Sequence, residues 1–536
     1  MTNKKSMLTR IGVVVLAAML AVLYLVPASV FAEDANTNTV PKNGTITVTN
    51  VDKDATSVTA YQIVKAEYKG ESFVDWKAAN AQIEGIFTQE EKVDYSKAPS
   101  PAQLAALDLQ GIKPEKLMNQ KPNDTTFTKS GMEPGLYLVK IQTDNGNIVY
   151  NPMILGVNLQ EGDKAPSSSL DLSNAKYGEK GAAKKSEAKV DKTIVADKNA
   201  PQNTKGNDMQ IGDEVEFKID ITIPSYSNAF VHPTCNITDT LTNLNYKENS
   251  LSVKVGDEEF KAEGNYTSIT DKNKLTVNFT SDFIMKHRGE AVSINYTATL
   301  ADSAETNFNG DNTNKVEYEF SNNPYNDDDK GTDEDITHHY TFELDGSVNG
   351  KLTETSHEFI KTGDEIKKKD TEITTHGALD GAKFQLYTDA DCEKPFGDEV
   401  ETGKDGKIHI KGLNGSTAYY LKETFAPSPY KIDNKVIKIQ VIPTFNEDGT
   451  LQKYHFQITE GKKIVDCTEY TAEYENNGVT VSETEGTKDN HYEFVNSKSP
   501  VLPSTGGMGT YIFTIAGIAI IAIAAGMHFK KKAEEK

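Results

Sequence analysis

The sequence has few cysteines, few aromatic residues and no concentrated positive charge. Its 536 residues include three cysteines, Cys235, Cys392 and Cys467, and so small and odd a number excludes a disulfide framework. Whether Cys392 and Cys467 pair is left open. Aromatic residues make up 8% of the chain and its formal net charge is -22. Because no basic cluster could follow a phosphate backbone, we expect no nucleic-acid binding.

Residue patterns typical of enzymes and metal sites are also missing. His338 and His339 are adjacent in a polar segment, and no Ser/His/Asp or Cys/His arrangement stands out. The acidic run "NDDDKGTDEDI" lacks the spaced ligands and the turn glycine of a calcium loop, so it predicts a solvated linker. We therefore expect no cofactor, no metal and no enzyme that turns over an external substrate.

Long apolar runs occur at the two ends of the chain. Lys4, Lys5 and Arg10 precede the apolar run Ile11–Val26, a pattern typical of a secretory signal peptide cut after Ala32. Near the other end, Tyr511–Phe529 is long enough to form a transmembrane helix, and the lysines behind it indicate a cytoplasmic tail. The sequence between these runs is predicted to be outside the membrane.

Alternating apolar and polar residues predict an all-β protein of three tandem immunoglobulin-like β-sandwich domains. Polar segments separate the three strand-rich blocks. The predicted divisions are 1–32 (signal peptide), 36–165 (first domain), 166–188 (connector), 189–325 (second domain), 326–338 (acidic linker), 339–498 (third domain) and 499–536 (C-terminal signal with membrane helix and basic tail).

A short motif precedes the C-terminal apolar run. Leu502, Pro503, Ser504, Thr505 and Gly506, followed by the apolar span and the basic tail, resemble the LPxTG cell-wall sorting signal of Gram-positive surface proteins. In that family a sortase cleaves between the residues equivalent to Thr505 and Gly506 and holds the threonyl carbonyl as a thioester until an amine resolves it. The resemblance implies a secreted chain that is anchored covalently to peptidoglycan, with the helix as a transient anchor.

The third block resembles the Cna-type domains of Gram-positive pilins, which cross-link themselves. "AYYLKETFAPSPY" is similar to the pilin E-box, YxLxETxAPxGY, and contains Glu423. The terminal strand "HYEFVNS" supplies Asn496. Both Lys351 and Lys361 could supply the amine, and we choose Lys361 because "EFIKTG" matches the first strand of such domains.

The second block resembles another domain type of the same pilins. The segments "AKVDKTI", "CNITDTL" and "NKVEYEFSNNP" supply Lys192, Asp239 and Asn314. Asn314 is preferred over Asn322 and Asn323 because it alternates with Val316 and Tyr318 along one strand face. The first block lacks an E-box and an early apolar-flanked lysine; Glu133 lies in a turn. No cross-link is expected there.

These residue types suit isopeptide chemistry. A buried lysine loses its proton and a buried carboxyl keeps one, because burial disfavours both charged forms. The neutral amine can then attack the asparagine amide while Asp239 or Glu423 transfers protons as the catalytic acid. Folding holds the reactants together, so each site reacts once.

The combined features predict the major (backbone) pilin of a sortase-assembled pilus, with sortase and other pilin subunits as partners. Pilus shaft proteins often carry the lysine that joins subunits in a YPKN motif between their first and second domains. The connector of this chain lacks that motif. Lys176 ranks first there as the polymerising lysine, and Lys184 and Lys185 come next. "VPKN" at 40–43 is similar to the YPKN motif but lies at the mature N-terminus, before the first predicted strand at Gly44. The alternatives are an accessory pilin or a solitary adhesin that binds a host matrix protein. The host ligand and the cognate sortase stay open.

Overall fold

The structure is a computed structural model, and it describes most of the chain between residues 40 and 527. The described ranges are 40–70, 72–89, 92–95, 99–119, 124–143, 146–157, 179–195, 204–309, 312–344, 359–367, 374–475, 478–485, 492–496, 515–525 and 527. The predicted signal peptide, Lys176, Lys351 and the sorting motif at 502–506 lie outside them.

The first strand-rich unit has two main sheets. Their orders are β12-β1-β8-β7 and β11-β9-β2-β3, with β6 paired to β2. The apolar faces of these strands form the core, which extends under two short helices. The elements are β1 (Gly44–Thr49), β2 (Ala55–Lys69), β3 (Ser72–Ala78), α1 (Ala81–Phe87), β4 (Thr88–Gln89), β5 (Lys92–Val93), α2 (Pro101–Ala105), β6 (Pro114–Lys116), β7 (Met118–Asn119), β8 (Phe127–Met132), β9 (Gly135–Thr143), β10 (Ile148–Tyr150), β11 (Met153–Val157), β12 (Lys180–Ala182) and β13 (Lys185–Glu187).

The second unit is a sandwich of two sheets around one apolar core. The sheet orders are β14-β16-β23-β19-β20, with β18 on β23, and β15-β25-β24-β17-β22-β21. Strict alternation of buried side chains along β23 fixes the register, because a one-residue slip would expose the apolar set. The elements are β14 (Val190–Ile194), β15 (Gly206–Asp208), β16 (Glu214–Thr222), β17 (Cys235–Leu241), β18 (Leu244–Tyr246), β19 (Ser252–Val255), β20 (Glu258–Phe260), β21 (Tyr266–Asp271), β22 (Lys274–Phe279), α3 (Ser281–Lys286), β23 (Ala291–Leu300), a 3₁₀ turn (Asn307–Asn309), β24 (Thr313–Ser321) and β25 (Lys330–Tyr340).

The third unit is built on a long antiparallel sheet, β30-β29-β32-β33-β34-β35-β36, with the smaller sheets β28-β27-β37 and β26-β31. Its core is separate from that of the second unit. The predicted all-β tandem fold is thus confirmed. The elements are β26 (Phe342–Leu344), β27 (Phe359–Lys367), β28 (Thr374–Ala378), β29 (Lys383–Tyr387), β30 (Pro395–Glu401), β31 (Ile410–Leu413), β32 (Tyr419–Phe425), β33 (Val436–Phe445), β34 (Leu451–Glu460), β35 (Lys463–Glu475), β36 (Gly478–Glu485) and β37 (Tyr492–Val495).

Two segments differ from the predicted divisions. Residues 180–187, assigned to the connector, form β12 and β13, which pair with β1 and β10 of the first unit. The segment 326–338, expected to be a solvated linker, contributes most of β25, which pairs with β24 from residue 330 to residue 338. Thr337 and His339 face the core. Asp333 and Asp335 lie on the same strand face and accept hydrogen bonds from the backbone N–H groups of Val190 and Lys192 on β14. The acidic stretch is therefore part of a core strand, with two of its carboxylates bound to a neighbouring strand.

Polar contacts join neighbouring units. Between the first and second, the Asn151 amide donates to the Ser225 carbonyl oxygen, and the Lys140 ammonium lies 3.8 Å from the centroid of the Tyr325 ring. Between the second and third, Gln210 donates to the Tyr419 hydroxyl at 2.8 Å. The units are therefore connected by side-chain contacts as well as by the chain.

The C-terminal helix is described only in part. Residues 515–525 and 527 are helical, and the rest of the predicted span lies outside the described residues. Within the described ranges, no helix has the length and apolarity needed to cross a bilayer. The cysteines are thiols, and Cys392 and Cys467 form no disulfide there.

Candidate functional site

The second unit places four buried polar side chains at the contact between its two sheets. Lys192 on β14 and Tyr296 on β23 belong to one sheet, whereas Asp239 on β17 and Asn314 on β24 belong to the other. All four alternate inward with apolar neighbours and are 1% exposed or less. A bond between Lys192 and Asn314 would therefore join the two sheets.

The polar groups of this cluster contact one another directly. The Lys192 Nζ lies 2.6 Å from Asp239 Oδ1 and 2.9 Å from the Tyr296 hydroxyl. The same hydroxyl donates to Asp239 Oδ2 and accepts from Asn314 Nδ2 at 2.5 Å. The three residues chosen from the sequence are thus brought together, with a tyrosine among them.

Burial sets the ionisation of the pair. Desolvation lowers the pKa of Lys192 to about 8, although the neighbouring Asp239 carboxyl opposes that shift. Desolvation also raises the pKa of Asp239, against the attraction of the lysine. Both directions favour the neutral amine and the neutral acid, which are the forms that amide attack needs.

Aromatic rings enclose the lysine amine. The Nζ atom lies 4.9 Å from the centroid of the Phe217 ring and 5.3 Å from that of the Tyr296 ring. The two rings are stacked with 5.3 Å between their centroids. The two rings exclude water from the Lys192 amine and hold this amine against the Asp239 carboxyl. The two groups are therefore positioned next to each other by the fold itself.

Sequence reasoning missed Tyr296, Thr337 and His339. His339 is fully buried; its Nδ1 donates to Asn207 Oδ1 at 2.6 Å, and its Nε2 accepts from the Thr337 hydroxyl at 3.1 Å. The alternation in "AVSINYTATL" marks Tyr296 as inward-facing, yet nothing in that pattern separates a functional tyrosine from a core one. His339 was hidden by the acidic residues before it.

The buried imidazole predicts a pH dependence. Burial, together with the charge of Lys192, lowers the pKa of His339 to about 3. Between the unfolded value near 6.5 and about 3, the unfolded chain binds a proton that the folded chain does not. The stabilisation is complete above pH 6.5 and is lost, by about 1.4 kcal/mol per pH unit, as the pH falls below that value.

This loss can be measured by hydrogen exchange in peptides from β24 and β25 at pH 7, 5.5 and 4.5. We expect the free energy of opening to fall more steeply in the wild type than in His339→Asn. The neighbouring substitution His338→Asn is the matched control and should keep the wild-type slope. Equal slopes in all three chains would contradict the assignment.

The third unit holds a second acid–amide pair. Glu423 on β32 is buried, as is Asn496, which directly follows β37. The Asn496 amide donates to Glu423 Oε1 at 2.8 Å, and the backbone N–H of Asp433 donates to Oε2 at 2.6 Å. The carboxyl therefore contacts the amide on one side and is held by backbone on the other.

The backbone of Lys361 lies close to this pair. Strands β27 and β37 are parallel, and Lys361 pairs in register with Phe494, two residues before Asn496. Its side chain lies outside the described part of the structure. In the first unit, Glu133 forms an ion pair with Lys42 at 3.1 Å near the surface, an arrangement unlike either buried cluster.

Comparisons with family models support three parts of the chain. Residues 41–186 match the T6 antigen Ig-like domain, residues 364–459 match the SpaA prealbumin-like fold domain, and residues 495–536 match the LPXTG cell wall anchor motif. A search of curated proteins found no match. The anchor motif confirms the predicted location at the cell wall.

Two solved structures are similar to this chain. The T6 backbone pilin of serotype M6 Streptococcus pyogenes, which has a modular three-domain structure, is 18% identical with a TM-score of 0.58, covering 86% of this chain and 100% of that one. The major pilin SpaD from Corynebacterium diphtheriae is 18% identical, with 85% and 98% coverage and a TM-score of 0.43. The first likeness establishes the fold. The chain is a wall-anchored surface protein that resembles major pilins.

Proposed function

We propose that the chain is the shaft subunit of a cell-wall-anchored pilus, in which sortase joins Thr505 of one subunit to Lys176 of the next. Isopeptide bonds from Lys192 to Asn314 and from Lys361 to Asn496 stiffen each subunit. The fibre supports surface adhesion, and the protein is a sortase substrate without turnover of its own. Peptidoglycan receives the base of the fibre. The observation that carries the proposal is the buried cluster at which Lys192 and Asn314 meet across two sheets.

The bond chemistry balances within that cluster. The neutral Lys192 Nζ attacks the Asn314 side-chain carbonyl carbon, the new N–C bond forms, and the C–Nδ2 bond breaks. One proton leaves Nζ and one joins Nδ2, so ammonia is released. The neutral Asp239 carboxyl, which contacts Nζ at 2.6 Å, takes up the Nζ proton on one oxygen and gives up its own proton from the other, so its protonation state is unchanged.

The positions of the proposed bonds suit a fibre under tension. Force entering at Lys176 reaches the second unit through β14, and force leaving through β25 passes to the third. A Lys192–Asn314 bond joins β14 to β24, which pairs with β25. In the third unit, β27 and β37 lie side by side, so a Lys361–Asn496 bond would connect the exit of the chain to its first long strand. The strands between the bonded residues then carry no load.

We propose three domains, with the strand pairing as the guide to their limits. The first extends to about residue 188, because β12 and β13 pair with its strands. The second runs from β14 through β25, and the third from β26 to Asn496. The proposed polymerising lysine, Lys176, then falls between β11 and β12 in the sequence.

Immunoblotting of wall extracts tests the proposed shaft role. We expect a ladder of high-mass species that survives boiling in detergent, because every joint is an amide bond. A strain lacking the pilus-type sortase provides the control and should show monomer alone. A single band in the wild type would reject the shaft role and favour the accessory pilin or the solitary adhesin.

A further inference from the structure

The acid and the amide of the second domain do not touch each other. Within the described structure, Asp239 and the Asn314 side chain make no direct hydrogen bond, and the side-chain oxygen Oδ1 of Asn314 accepts none. The Tyr296 hydroxyl lies between them and contacts both. It also contacts Lys192 Nζ at 2.9 Å. One hydroxyl therefore touches the attacking nitrogen, the acid and the leaving nitrogen.

In the third domain the acid and the amide touch each other directly. There the Asn496 amide donates straight to Glu423 Oε1 at 2.8 Å. Asp239 is one methylene shorter than Glu423, and in the second domain the tyrosine hydroxyl occupies the space between acid and amide. The two sites thus use different contacts between acid and amide.

We propose that Tyr296 is a catalytic residue of the second domain, which relays the proton from Asp239 to the departing nitrogen of Asn314. The proposal rests on the Lys192–Asn314 bond of the proposed function. In this proposal the Tyr296 hydroxyl makes the contact with the asparagine amide that Glu423 makes directly in the third domain.

The relay follows the contacts in order. Lys192 Nζ gives a proton to Asp239 Oδ1 and attacks the amide carbon of Asn314. In its neutral form Asp239 carries a proton on Oδ2, so its hydrogen bond with Tyr296 reverses: the carboxyl gives this proton to the Tyr296 oxygen, and the hydroxyl turns and gives its own proton to Nδ2, which departs as ammonia. The carboxyl and the phenol end in their original protonation states, and one proton has moved from Nζ to Nδ2.

The surroundings hold Tyr296 in this position. Its ring is stacked on Phe217, and the ring of Tyr246 lies 5.8 Å away between centroids. The side chain is almost fully buried, and burial raises the pKa of its hydroxyl well above the usual value. The hydroxyl therefore stays protonated until it transfers a proton, as a relay requires.

The test is Tyr296→Phe in the full exported chain, which removes the hydroxyl and keeps the ring. Intact mass and mapping of the peptide that joins Lys192 to Asn314 are followed from purification over several days. We expect bond formation to slow on the order of 10²-fold, so the freshly purified variant keeps about 17 Da that the wild type has lost. The third-domain bond in the same molecule should form at the wild-type rate.

Tyr318→Phe is the matched control, because it removes another buried hydroxyl of this core, which contacts the Thr222 carbonyl oxygen and Cys235. That variant should be cross-linked when purified. If Tyr296→Phe is destabilised, the rates are measured again in trimethylamine N-oxide, which favours the folded state. A Tyr296→Phe chain that cross-links as fast as Tyr318→Phe overturns the relay. A wild-type chain without the Lys192–Asn314 bond overturns the proposed function instead.

Discussion

The intact mass of the exported chain is expected to lie about 34 Da below its sequence value, because two bonds each release one ammonia. Replacing Asp239 by Ala should restore about 17 Da, and replacing Glu423 by Ala should restore the same amount. Each substitution removes the group that accepts the lysine proton, a loss of about 10² to 10⁴ in rate. Mass spectrometry of the purified chains measures the outcome.

A matched acidic substitution separates this effect from a general loss of charge. Asp220 lies in the same domain and accepts from Ser293, away from the cluster, so Asp220→Ala should still lie about 34 Da below its own sequence value. The bond from Lys192 to Asn314 would close a loop of over a hundred residues and, by analogy with a disulfide, contribute about 5 kcal/mol. The Asp239→Ala chain, which keeps the ammonia that this bond releases, should also unfold at a lower temperature than the wild type. An unchanged mass in Asp239→Ala or Glu423→Ala would reject that residue as the acid.

Changing Lys176 to Ala or Arg in the native host should abolish the high-mass ladder and leave wall-anchored monomer. The sortase thioester at Thr505 would then lack the amine of the next subunit, while the cell-wall precursor could still resolve it. Arginine keeps the charge and cannot act as the nucleophile, because its guanidinium stays protonated. Immunoblots of wall extracts and of culture medium report polymer and released protein separately.

The neighbouring lysines provide controls with different surroundings. Lys184 is exposed, whereas Lys185 pairs with Asp52 at 3.2 Å and is partly buried. Strains with Lys184→Ala or Lys185→Ala should keep the ladder. A ladder that persists without Lys176 and disappears without Lys184 or Lys185 would show that the joint lies in β12–β13. A ladder that survives all three substitutions would exclude this part of the chain as the joint.

Local sequence patterns were sufficient to predict much of the fold and to place Asp239 and Glu423 on strands. The alternation in "NKVEYEFSNNP" predicted that Asn314 faces inward with Val316 and Tyr318, and all three are buried. The E-box placed Glu423 on a strand, where β32 has it. Such features depend on residues a few positions apart, so they can be recognised without knowing the partner strands.

Other features depended on pairing between distant segments. The segment 180–187 is short and polar. It forms two strands because β12 pairs with the edge of β1 and β13 pairs with the edge of β10. The acidic stretch before His339 became β25 because β24 pairs with it and because Asp333 and Asp335 accept hydrogen bonds from the backbone of β14. Neither outcome follows from local hydrophobicity.

The sequence by itself determined the export and anchoring signals, the all-β class and the residues of the proposed cross-links, since each is written in a short contiguous motif. The tertiary structure alone decided that Tyr296 lies between Asp239 and Asn314 and that His339 is buried beside them. Several of those contacts join strands that are far apart in the sequence. They exist because two sheets pack face to face and exclude water from the groups between them.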